Sequence, residues 1–99
     1  MAIQVFIMRR FEPGQMANQV IPYVLKMRAL ATVQPGYISG ETLSNVEQPQ
    51  ECMVISRWES LDDWNRWRHS KERAEIQDKI DELSGEKTEY KIFAPMVAR

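Results

Sequence analysis

Two short stretches constrain this chain more than any other feature. "VFIM" (5–8) and "MVI" (53–55) are apolar at consecutive positions, inside segments rich in β-branched and aromatic residues. Side chains alternate between the two faces of a strand, so a sheet covered by helices on one side alternates apolar and polar. Runs that are apolar on both parities need both faces buried. Two short helices cover one face, so the second face is expected to pack against another subunit. The pattern predicts a homodimer.

The rest of the chain supplies the helices and the remaining strands. "AIQVFIMRRF" (2–11) reads as a strand that stops at "EPG", a turn signal. From Gln15 to about Val33, Met16, Val20, Val24, Met27 and Ala31 recur at helical spacing, with Ile21 and Leu25 widening the stripe. Pro22 would cost roughly 3 kcal/mol in a helix interior, so the helix is expected to start near Asn18 or to kink. "QPG" (34–36) ends it. "YISGETLSN" (37–45) reads as a short strand, "NVEQPQ" as a polar turn, and "ECMVISRWE" (51–59) as a strand. Ser60 followed by Asp63 resembles a capping box. Ser70 recaps a second helical segment carrying Ile76, Ile80 and Leu83, "SGEK" breaks it, and "TEYKIFAPMV" (88–97) is the last strand. The order β-α-β-β-α-β predicts an α+β, ferredoxin-like protomer with an antiparallel sheet, a single domain over residues 1–99.

Composition narrows the function. The net charge is −1 and the charges are interspersed. Without a basic stripe to neutralise phosphates, nucleic acid is not an expected ligand. The first residues lack a basic region followed by a long apolar core, so neither a secretory signal nor a membrane span is expected. A lone Cys52 forms no internal disulfide and no cysteine-based zinc site. The expectation is a cytoplasmic protein with neither metal nor cofactor.

Standard catalytic sets are absent: no "GxSxG", no Gly-rich phosphate loop, no His-rich pattern. Cys52, beside Met53 and Val54, reads as a structural thiol. His69 lies between Arg68 and Ser70 at a helix break, where a surface or capping role is expected. "RWESLDDWNRWRHSKERAEIQDKI" (57–80) holds all three tryptophans. Each can bury on the order of 200 Å², worth roughly 5 kcal/mol, which accounts for Trp58 and Trp64 as anchors. Trp67 is the member with a candidate ligand role, because it lies one turn beyond Trp64, where a helix–sheet cavity can open. Candidate polar groups for orienting a ligand are Arg9, Arg57, Tyr90 and Gln77. Arg57 shares its strand parity with Ile55 and Met53, so it either pairs with an anion or reaches the rim.

"VFIMRRFEPGQ", "QPGYISGETL" and "MVISRWESLDDWNRWRHSKER" together resemble the antibiotic biosynthesis monooxygenase (ABM) family of dimeric α/β barrels, over residues 2 to about 80. The most specific pieces are the Pro-Gly-Tyr after the first helix and "RWES" followed by "DDWNRW". The resemblance implies that two ferredoxin-like sheets pair into a barrel. One branch of the family consists of cofactor-independent oxygenases of quinols and polyketide aromatics, in which the substrate supplies electrons to oxygen. It implies that Trp67 and Arg57, with Tyr90 assisting, act on a small aromatic ligand in a helix–sheet pocket. A second branch degrades haem, and Trp67 matches its pocket tryptophan. That branch would place a histidine where this chain has Gln77 and an asparagine where it has Ile7, so haem degradation is disfavoured. The remaining alternative is a dimeric small-molecule binding or sensing domain without chemistry.

Overall fold

The computed structural model describes residues 1–11, 17–84 and 87–97. The elements follow the order strand β1 (Ile3–Arg10), helix α1 (Ala17–Ala31), strands β2 (Tyr37–Ser44) and β3 (Glu51–Trp58), helices α2 (Leu61–Arg68) and α3 (Lys71–Ser84), and strand β4 (Glu89–Phe93). The strands form one antiparallel sheet in the order β2-β3-β1-β4. This is the ferredoxin-like arrangement expected from the sequence, with its second helical unit split in two.

The sheet has two unlike faces, and the register assigns each residue to one of them. Ile3, Val5, Ile7 and Arg9 of β1 stand opposite Trp58, Ser56, Val54 and Cys52 of β3. This inner face meets Val20, Val24, Met27 and Ala31 of α1, Trp64 and Trp67 of α2, and Ile76 and Ile80 of α3 in one buried core. The other parity carries Phe6 opposite Ile55, Met8 opposite Met53, and Leu43 of β2 opposite Met53. Phe93 of β4 closes on Phe6 edge-to-face, with ring centroids 5.2 Å apart. Leu43 and Phe93 are exposed, and no helix of the described residues lies over this outer face. The two-sided apolar runs are therefore real, and one side is uncovered in a single chain.

The helix start expected near Asn18 holds to within one residue, and two other expectations need adjusting. Helix α1 begins at Ala17 and passes through Pro22, whose missing N–H deprives the Asn18 carbonyl of its usual donor. Ile21 and Leu25 do not widen the buried stripe; both are exposed, so α1 buries one narrow face. Strand β4 stops at Phe93 rather than running to Val97. Phe93 already pairs with Gln4, next to the start of β1, and Pro95 cannot donate to a ladder. The "EPG" turn and Met16 lie outside the described residues, as do positions 85–86 of "SGEK".

The two most specific sequence pieces meet in space. Gly36 of "PGY" has φ +87°, a left-handed conformation that favours glycine. A Cβ there would overlap the Asp63 side chain. The Glu59 N–H donates to the Gly36 carbonyl at 2.7 Å. The turn after α1 thus seats the start of α2, where the Ser60 hydroxyl accepts from the Asp63 N–H (3.1 Å) and donates to Asp63 Oδ2 (2.8 Å).

Candidate functional site

The junction between α2 and α3 turns the chain so that both helices face the sheet. Ser70 makes that turn: its hydroxyl donates to the Trp67 carbonyl (2.8 Å) and accepts from the Arg73 N–H (3.2 Å). One serine therefore fixes Trp67 on one helix relative to Arg73 on the next. Beneath them, an aromatic row runs from Tyr37 through Trp58 and Trp64 to Tyr90, with successive centroids 5.4, 5.8 and 6.1 Å apart.

A half-open cavity of about 40 Å³ lies between the helices and the inner face of the sheet. Its wall is mainly apolar and aromatic: Ile7, Val24, Met27, Val54, Trp58, Trp64 and Trp67. Arg9 and Arg73 complete it, and Arg28 and Glu41 also line it, both exposed. Arg28 Nη2 donates to the Gly40 carbonyl at 2.9 Å.

The two inner arginines are each 2% exposed. Arg9 Nη2 donates to Gln77 Oε1 (3.0 Å) and to Met27 Sδ (3.5 Å). Arg73 Nη2 donates to the Tyr90 hydroxyl (3.1 Å), which in turn donates to Gln77 Oε1 (3.4 Å). Gln77 Nε2 donates to Thr88 Oγ1 (2.9 Å) and Asp81 Oδ1 (2.8 Å). Every partner of these guanidinium groups is neutral, and among the described residues neither arginine forms an ion pair. Three buried donors around the cavity have no acceptor: Arg9 Nε, Arg73 Nε and the Trp64 indole N–H. A buried unmade hydrogen bond costs about 1–3 kcal/mol. Arg73 recovers part through its position over the rings of Trp64 and Tyr90, 5.4 Å from each centroid. Burial and, second, the Arg73 charge lower Arg9 from its usual value to about 10. Arg9 is therefore still a cation at neutral pH.

The three residues expected to form the site are not brought together. Trp67, 3% exposed, lines the cavity. Tyr90 stands behind Arg73, its ring under the Arg68 guanidinium at 4.2 Å. Arg57 is exposed and shares the outer face with Ile55 and Met53, so the sheet separates it from Trp67. Arg9, weighed as a ligand-orienting group, is the arginine of the inner face. Gln77 uses all four of its hydrogen-bonding positions within the protein, leaving no free lone pair for a metal. Among the described residues no cluster of His, Cys, Asp and Glu is suited to a metal ion. His69 caps the exposed end of α2 with Nδ1 2.9 Å from the Asn65 carbonyl. Cys52 is half-buried, and burial raises its thiol above the usual range. Arg73 was missed, although it falls on the same helical stripe as Ile76 and Ile80 and was legible from that spacing.

Residues 2–79 match the family model described as antibiotic biosynthesis monooxygenase. The chain belongs to that family. A curated relative, protein SchA of Streptomyces halstedii, is 28% identical over 74 residues, which span 75% of this chain and 19% of that protein. A conserved protein from Methanosarcina mazei Go1 superposes with a TM-score of 0.86 at 17% identity, covering 94% of this chain and 91% of the other. Rv0793 from Mycobacterium tuberculosis gives 0.86 at 14%, covering 99% and 98%. SnoaB, a cofactor-independent oxygenase from Streptomyces nogalater, gives 0.80 at 14%, covering 98% and 94%. These likenesses show that the fold is shared over nearly the whole chain. No helix of the described residues is long and apolar enough to cross a membrane.

Proposed function

We propose that this ABM protein is a cofactor-independent monooxygenase acting on a small electron-rich aromatic or quinol bound in the helix–sheet cavity. The observation that carries this reading is the cavity wall: three tryptophans with two guanidinium groups behind them. Aromatic walls hold a planar ring, and a small number of polar groups fix its orientation. In such chemistry a hydroxyarene or quinol with a free ring C–H reacts with dioxygen. One oxygen atom is added at that carbon to give a quinone or hydroxyquinone, the other leaves as water, and the arene supplies all four electrons. The protein's part is to orient the ring and manage protons. Trp67 packs against the ring, and Tyr90 acts from behind Arg73 through the Gln77 network. Arg57 belongs to the face that meets a second copy.

Two copies pair through their outer faces into a barrel. Phe6, Met8, Leu43, Met53, Ile55 and Phe93 support this, because together they form an apolar sheet face with no cover in one chain.

A second reading, a ligand-binding domain without chemistry, draws on the absence of a histidine among the cavity-lining residues, where Glu41 is the one carboxylate and is exposed. Oxygen uptake by metal-free protein against hydroquinones and polyhydroxylated aromatics separates the two. Uptake above autoxidation that falls about tenfold or more in Trp67→Phe, through loss of orientation, is the expected result. Uptake at the autoxidation rate across the panel leaves the binding domain as the function.

A further inference from the structure

We infer that the cavity selects an aromatic ligand carrying an anionic oxygen, a carboxylate or an ionised phenol, which docks on Arg9 and Arg73. This rests on the cavity being the ligand site proposed above, but not on its being catalytic.

The case comes from a mismatch between donors and acceptors. Arg9 Nε, Arg73 Nε and Trp64 Nε1 are buried donors with no acceptor among the described residues, and all three residues line the same space. The acceptors of the Gln77–Tyr90 network beside them are already taken. Gln77 Oε1 receives both Arg9 and the Tyr90 hydroxyl, and the Tyr90 oxygen receives Arg73. Asp81, the nearby carboxylate, accepts from Gln77 and is exposed.

Charge points the same way. Two guanidinium groups, each 2% exposed, line one apolar cavity, and among the described residues no carboxylate is paired to either. Buried charges in folded proteins are normally paired, so this pair is built for a counter-ion that arrives with the ligand. A neutral hydroxyarene can accept a hydrogen bond but leaves both charges without a counter-ion. A single anionic oxygen acid meets them, since carboxylate and phenolate oxygens accept several charge-assisted hydrogen bonds. Arg28 lies on the same wall and adds a third positive group along the approach. The aromatic wall accounts for the rest of the ligand.

The test is a binding measurement that needs no turnover. Quenching of tryptophan fluorescence under nitrogen at pH 7.5 would give Kd for 1-hydroxy-2-naphthoate, for 4-nitro-1-naphthol as an ionised phenol, and for neutral 1-naphthol. At least one anion is expected to bind about 10- to 100-fold more tightly than 1-naphthol, the effect of one or two charge-assisted hydrogen bonds. Which anion gains identifies carboxylate or phenolate as the docking group. In Arg9→Gln and in Arg73→Gln the preference should fall toward one while 1-naphthol affinity is kept, which also shows that the variant is folded. Arg10→Gln removes the same charge from the other side of the sheet and should leave the preference intact. The inference is overturned if 1-naphthol binds as well as both anions, if no probe binds, or if the preference survives in both inner variants. An anion preference without oxygen uptake would sink the oxygenase reading alone.

Discussion

Arg9 and Arg10 are neighbours in sequence and opposites in surroundings. Arg10 points to the outer face, where Nε is 3.0 Å from Glu51 and Nη1 is 3.2 Å from Glu89. Those two carboxylates raise its pKa. Arg9, one residue earlier, points to the inner face, is buried, has neutral partners and is lowered to about 10. The same side chain is neutralised by the protein on one face and left as a buried cation on the other. The inner face carries a buried cation that no described carboxylate neutralises, and the outer face neutralises its own arginine.

The strongest way to break this contrast is on the outer face. If it meets a second copy, a charge at its centre has no partner once buried. Ile55→Asp should weaken the dimer by about 3–5 kcal/mol, enough to convert a micromolar sample to monomer. Sedimentation velocity of both proteins reads this directly. A wild-type protein that sediments as a monomer would remove the dimer proposal.

The next effect compares the two arginines by their sign. At neutral pH the lowered pKa of Arg9 corresponds to a cost on the order of 3 kcal/mol in the unliganded fold. Arg9→Met keeps the bulk and removes the charge, so it should raise stability by about 1–3 kcal/mol, as replacement of buried charges often does. Arg10→Met loses two exposed pairs and should lower it only slightly, since solvent screens them. Urea unfolding of both variants at pH 7.5 checks the pair. The pH dependence has a defined sign. Above about pH 10 the unfolded chain still holds the Arg9 proton that the folded chain has lost, so wild-type stability gains there and its gap to Arg9→Met narrows. A destabilised Arg9→Met protein would mean that Arg9 holds the fold through Gln77 and Met27.

Most of the fold, but only part of the site, was legible before the structure. Strand parity places Arg9 with Ile3, Val5 and Ile7, and helical spacing places Arg73 with Ile76 and Ile80. Arg57 shows where parity fails. It shares a face with Ile55 and Met53, where an anionic partner or a place at the rim was expected. Because both faces of β3 are apolar, parity groups residues correctly without saying which group is inside. That choice is made by Trp58, whose ring lies 5.8 Å from Trp64 of α2 and 5.4 Å from Tyr37. It is a long-range packing event with no local signature. The missing acceptors around Arg9 and Arg73 are equally invisible in sequence, since they depend on where Gln77 and Tyr90 point.

The smallest effect sharpens the outer half of the contrast. Hydrogen bonds from Asn45 and then Arg10 hold the Glu51 carboxyl below its ordinary 4.5. A carboxylate with a lowered folded pKa favours the folded state above its unfolded value, and that contribution is lost as pH falls through the folded value. Wild type should therefore lose stability below about pH 4.5 more steeply than Glu51→Gln, and the two curves should converge in the acid limit apart from the amide's own hydrogen bonds. At pH 7 the two should differ little, because solvent screens an exposed ion pair. Urea midpoints from pH 3 to 7 in low salt measure this, and raising the salt should shrink the difference further. If Glu51→Gln were instead as damaging at pH 7 as Ile55→Asp, the Arg10 cluster would be a buried part of the subunit contact rather than its polar rim. Arg10 and Arg9 would then differ by partner alone and not by exposure.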